Sequence, residues 1–174
     1  MTLDIIIYPN PILKKISKPV ERFDKELHKL LDNMYETMIK AEGVGLAAIQ
    51  IGIDRRVLII DVGDEEGKQT PNTKIEVINP EFLEWNDLQK GKEGCLSIPQ
   101  YYDEVERYKK VKVRFFDRFG KPHIMEATDL LAVAFQHETD HLDGKLFIER
   151  LDYIRRKKFE KEWKKFLKNK KLKK

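Results

Sequence analysis

His137-Glu138-Thr139-Asp140-His141 places two imidazoles four residues apart with a carboxylate beside the first, the pattern of a metal site that carries its own base. On a helix, positions i and i+4 lie about 6 Å apart along the axis and face one side, so both rings can reach a single ion. Glu138 is rotated about 100° from His137 and can stand beside that ion without competing as a ligand. A bound divalent ion brings the pKa of water towards about 7, and Glu138 is placed to accept the proton. Such a site takes three protein ligands and leaves one position open. Residues 142–151 hold no further His, so Glu149 is one candidate for the third ligand and Cys95, the single cysteine, is the better one. A lone thiol cannot close an internal disulfide. The plainer alternatives are histidines that only hydrogen-bond and a cysteine that is only a small buried hydrophobe.

A third segment, Gly43-Val44-Gly45-Leu46-Ala47-Ala48-Ile49-Gln50, packs two glycines, two alanines and an amide into eight residues. That composition suits a backbone running close to a ligand and ending in a hydrogen-bond donor, or simply a tight connection between helix and strand. In order and spacing, Gly43 to Gln50, Glu93 to Ser97 and Gln136 to His141 resemble the three signature motifs of peptide deformylase. The resemblance runs from Ile5, Tyr8, Pro9 and Leu13 to Gly144, Leu146 and Phe147. It implies a hydrolase that removes the formyl group from the N-terminal formyl-methionine of nascent polypeptides, giving formate and a free amine. Position by position it implies Cys95, His137 and His141 as metal ligands and Glu138 as general acid/base. It likewise implies Gln50 (side-chain amide) and Leu96 (backbone N–H) as oxyanion donors, and Gly45 as a backbone contact to substrate. The metal it implies is usually Fe(II), with zinc, nickel or cobalt as alternatives.

Three, four and seven residues before His137 stand Ala134, Val133 and Leu130, an apolar patch beside the metal that suits an unbranched methionine side chain. The resemblance adds Val44 to that pocket. Leu131 and Phe135 face elsewhere and read as core. Two positions depart from what is common in the family: Ala134 is small, implying a wider pocket, and Tyr102 stands where many relatives carry a peptide-contacting arginine, a role Arg107 could partly take. Two other classes share some of these features. A metallopeptidase cleaving internal bonds uses the same His-Glu-x-x-His chemistry but not Gln50 and Cys95, and a non-catalytic ribosome-binding metal protein would not need Glu138.

The elements that must position these groups are mixed. Leu27, Leu30, Leu31, Met34 and Met38 follow helical spacing and predict a helix over 24–41. A second is predicted over 129–142, free of Gly and Pro, with Thr128 as its N-cap. Strands are predicted over 56–61, 75–79, 105–108, 111–117 and 124–126, with a strand-like 96–99 after the cysteine and a solvated loop over 63–73. Strands clustered between helices argue for an α+β fold, the metal-bearing helix packed on largely antiparallel sheets, with a C-terminal basic helix.

At 174 residues the chain suits one catalytic domain, residues 1–151, with 152–174 as a helical extension of it. That tail holds 12 Lys or Arg against 3 acids, a net of +9 within a whole-chain +4, which leaves −5 for the rest. Phe159, Trp163, Phe166 and Leu167 recur at helical intervals along it. Phosphate contacts suit this charge, and the resemblance makes ribosomal RNA the expected partner beside the formyl-methionyl nascent peptide. No apolar run approaches the roughly 20 residues of a membrane span, and no secretory pattern opens the chain, so a cytoplasmic protein with no membrane partner is expected. Charged residues make up 37% with only two serines, Ser17 and Ser97, usage that suggests a thermophile. His28 and His123 have no partner legible in the sequence.

Overall fold

Asp24 opens the first helix, its carboxylate accepting the Leu27 N–H at 3.0 Å. In α1 (Lys25–Lys40), Leu27, Leu31, Met34 and Met38 stack on one buried face. The structure is a computed structural model that describes residues 1–172; the last two residues of the basic tail, Lys173 and Lys174, lie outside them. Five strands follow, β1 (Gly45–Ala47), β2 (Val57–Ile60), β3 (Ile75–Cys95), β4 (Ile98–Phe116) and β5 (Pro122–Thr128). They form one sheet in sequence order, every neighbouring pair antiparallel. After β5 comes α2 (Asp129–Leu142), then a 3-10 turn at Phe147–Arg150 and α3 (Tyr153–Leu172).

The sheet is covered on both faces. Strand residues alternate in direction, so in β2 Leu58 and Ile60 meet Phe135 and Leu142 of α2, while Val57 and Ile59 join Leu31 and Met34 of α1. This is why β2 reads Val-Leu-Ile-Ile, with no polar position. Leu131 and Phe135 belong to the core between α2 and the sheet, as their phase predicts. A third apolar cluster holds Phe159 and Trp163 of α3 against Ile98, Val105 and Phe147, with Phe166 and Leu167 at its edge.

Where the sequence reads two short strands, 105–108 and 111–117, the chain runs as one 19-residue strand paired with an equally extended β3. Its polar stretches face solvent, so charge did not end it. The segment after the cysteine also differs: Leu96 and Ser97 form the turn between Cys95 and Ile98, which pair across it, and the strand begins only at Ile98. The Thr128 side chain makes no capping hydrogen bond. The far end of α2 is held instead, with the Leu142 carbonyl accepting from Ser17 N at 2.8 Å and Arg56 Nη1 at 3.1 Å. Both histidines left unassigned have partners: His28 Nε2 lies 2.8 Å from the Arg118 carbonyl, and His123 Nε2 2.8 Å from Asp117.

Candidate metal centre

Cys95 arrives at the end of β3, and His137 and His141 on the inward face of α2. Their sulfur and ring nitrogens lie within 4.8 Å of one another, with Cys95 Sγ 3.4 Å from His141 Nε2. Tetrahedral coordination at ordinary bond lengths needs donor atoms about 3.3–3.8 Å apart, a range the Cys95–His141 pair already meets, and one thiol with two imidazoles is a donor set that suits a divalent ion. His137 Nδ1 is 2.9 Å from Glu93 Oε1. A carboxylate only accepts, so Nδ1 carries the proton and Nε2 is left for the ion. Burial works to raise the Glu93 carboxyl, but hydrogen bonds from His137 and Arg107 outweigh it and hold it at about 2. Glu93 is therefore an anion at neutral pH.

Glu138 stands on the same helix with Oε1 3.8 Å from His137 Nε2, and its other oxygen is buried without a hydrogen-bond partner among the described residues. Burial pushes this carboxyl up to about 7, a value suited to taking and returning a proton near neutrality. The Gln50 amide is clamped at both ends. Its Oε1 accepts from Ala47 N at 2.9 Å, and its Nε2 donates to Ser97 Oγ at 3.0 Å and faces Cys95 Sγ at 3.6 Å. Gln50 thus presents N–H rather than C=O towards the sulfur. Gly45 has a plain reason to be glycine: a Cβ there would sit 2.7 Å from Glu138 Oε1. At Gly43 a Cβ would strike Leu96 Cδ1 at 2.6 Å.

A cavity of about 420 Å³ opens beside the cluster, and Cys95, His137 and Glu138 line it. Val44, Gly45, Leu96, Val133 and Ala134 form apolar wall, with Leu130 at the rim, 56% exposed. All the predicted pocket residues therefore converge on one space. Tyr102 also lines it, 62% exposed, its ring against Gly94 in a contact that leaves no room for a Cβ. Arg107 does not reach this space and cannot stand in for an arginine at 102. It is buried, with Nε and Nη2 on Glu93 at 2.8 and 2.9 Å and Nη1 on Asp140 at 2.7 Å. Glu149 is likewise no part of the cluster, since it accepts from Leu146 N and pairs with Lys14.

Glu93, Asp140 and Ser97 support the site and carry no role in the sequence reading, and Arg107 supports it in a role other than the one expected of it. Two of them had a signal: Glu93 lies two residues before the cysteine, and Asp140 lies three residues after His137, one helical turn along the helix that carries both histidines.

Residues 2–157 match a family model described as polypeptide deformylase. A peptide deformylase from Nautilia profundicola is 74% identical over 171 residues, 98% of each chain, and one from Helicobacter pylori is 52% identical over 169 residues, 97% of each. The crystal structure of a peptide deformylase from Legionella pneumophila superposes with a TM-score of 0.89 at 40% identity, covering 98% of both chains.

Proposed function

The chain belongs to the peptide deformylase family, and on that premise we propose that Cys95, His137 and His141 hold the catalytic metal, Glu138 carries the proton, and Gln50 and the Leu96 N–H stabilise the oxyanion. The protein is a metal-dependent hydrolase that removes the formyl group from the N-terminal formyl-methionine of nascent polypeptides. The observation that carries the residue assignment is the clustering of one thiol and two imidazoles, with the Gln50 amide turned towards the thiol, beside a cavity that Cys95, His137 and the raised carboxyl of Glu138 line.

When bound, the ion supplies Lewis acidity, lowering the pKa of water and polarising the formyl carbonyl. Glu138 takes the proton from the attacking water and returns it to the departing amine, and its unpartnered oxygen is free for that exchange. The Gln50 Nε2–H and Leu96 N–H donate to the oxygen that becomes negative; one such donor is typically worth about 3 kcal/mol. Val44, Leu130, Val133 and Ala134 receive the methionine side chain, and burying it contributes roughly 1.5–3 kcal/mol. The missing Cβ at Gly45 leaves the space that Glu138 fills, and the Gly45 backbone is assigned to contact the substrate.

Fe(II) is the metal we assign in the cell, with zinc, nickel or cobalt able to occupy the same donors. A thiolate donor makes an iron site oxidisable, so the iron-loaded enzyme is expected to lose activity faster in air than under argon; equal half-lives would count against iron bound by Cys95. Residues 1–151 are assigned as the catalytic unit and the tail from 152, helical over Tyr153–Leu172, as its extension, whose basic face is assigned to ribosomal RNA. No helix of the described residues is long and apolar enough to cross a membrane, and the reaction belongs with translation in the cytoplasm. The direct test of the assignment is Glu138→Gln, expected to keep stoichiometric metal and lose about 10²–10⁴-fold in kcat.

A further inference from the structure

Five side chains run in continuous contact from the metal cluster to the surface. His137 Nδ1 donates to Glu93; the Arg107 guanidinium grips both Glu93 oxygens and, through Nη1, Asp140. Arg150, at the end of the 3-10 turn after α2, then closes on Asp140 from outside, Nε to Oδ2 at 2.7 Å and Nη2 to Oδ1 at 2.8 Å. Glu93, Arg107 and Asp140 are all buried. By themselves they carry a net charge of −1, with two carboxylates competing for one guanidinium. Arg150 brings the set to neutrality and satisfies both oxygens of Asp140 in a bidentate fork.

We propose that Arg150 is a positioning residue for the metal centre: by holding Asp140 it keeps Arg107 squarely on Glu93, and so keeps Glu93 on the ring that offers Nε2 to the ion. The inference rests on the ligand assignment above. A metal-bound histidine is oriented by the acceptor on its other nitrogen, and loosening that acceptor weakens the metal. Without Arg150, Asp140 retains only Arg107, and the pull of a half-paired buried carboxylate falls on the contact that fixes His137. Water is at hand to soften the loss. The Arg150 side chain is 43% exposed and lines, with Arg107, Asp140, Trp85 and Tyr108, a second cavity of about 360 Å³ on another face of α2. The fold therefore survives the substitution while the metal is held less firmly.

The experiment is transfer of zinc from the loaded full-length protein to a chromogenic chelator, read beside thermal unfolding. Arg150→Gln is expected to release zinc about three- to tenfold faster than wild type, with Arg150→Lys, which keeps the charge but not the fork, in between. Arg118→Gln is the comparison. It breaks an equally bidentate pair, with Glu76, and is expected to lower the melting temperature but release zinc at the wild-type rate. Wild-type release from both Arg150 variants would overturn the proposal, and if the Gln variant fails to fold the Lys variant decides alone. Release from Arg118→Gln as fast as from Arg150→Gln would overturn it too, since general loosening would then suffice. A wild-type chain that binds no stoichiometric zinc would overturn the ligand assignment and this inference with it, an outcome distinct from both.

Discussion

The proton-carrying role proposed for Glu138 rests on its surroundings. Burial raises its carboxyl to about 7, and the bare backbone of Gly45 leaves the space it occupies. Gly45→Ala should therefore act through Glu138: the added methyl displaces the carboxylate, and kcat is expected to fall at least tenfold with metal content unchanged. A variant with wild-type kcat would show that Glu138 can shift without cost. That Cys95, His137, His141 and Glu138 belong together was legible from residue type and spacing and the place of Gln50 from the family resemblance, and the fold brings the five side chains close, their roles being those proposed above. Glu93, Arg107 and Asp140 were not legible in this way. Charged residues are usually solvated, and only the fold reveals that these three are buried against one another. Arg107 shows the same limit, since its position near Tyr102 in the chain says nothing of the side of the sheet it serves.

At the scale of elements, helices with strong periodicity were legible almost to the residue, as α1 and α2 show against the predicted 24–41 and 129–142. The β3–β4 hairpin was not, because its outer residues are polar on both faces and hydrophobic alternation has nothing to mark. Between α1 and the end of β2, Tyr35 donates to Asp61 Oδ2 at 2.7 Å, and burial followed by this hydrogen bond pushes its hydroxyl up to about 12. A tyrosine ionises near 10 when unfolded. The unfolded chain thus loses this proton first as pH rises, and the stability attached to Tyr35 is complete below pH 10 and lost between 10 and 12. Melting temperatures measured across that window should fall more steeply for wild type than for Tyr35→Phe; parallel curves would contradict the assignment. On α3, Phe159 is fully buried, Trp163 donates to the Tyr8 carbonyl at 3.1 Å, and Tyr8 N in turn donates to Ser97 O. Phe159→Ala is expected to cost about 3–5 kcal/mol in urea unfolding. Deleting the tail would strip part of the core, so charge substitutions are the cleaner probe of its outer face.

Across the whole molecule, charge is divided: −5 over residues 1–151 and +9 over 152–174. Docking of Phe159 and Trp163 turns Lys157, Lys158, Lys161, Lys164, Lys165 and Lys168 outward. If that face meets ribosomal RNA, replacing Lys161, Lys164, Lys165 and Lys168 by Glu should abolish co-sedimentation with ribosomes, and the wild-type interaction should weaken steeply with salt. Co-sedimentation unchanged by the four substitutions would remove the tail from the interaction. Catalysis should be untouched, because these lysines lie on the outer face of α3 and none lines the substrate cavity. The most direct test of the central claim is formate release from a short N-formyl-methionyl peptide by protein loaded anaerobically with Fe(II), with the N-acetyl peptide as comparison. Formate from the formyl peptide, abolished by Glu138→Gln with metal retained, is the predicted result. Fully metallated protein that released no formate would contradict the account.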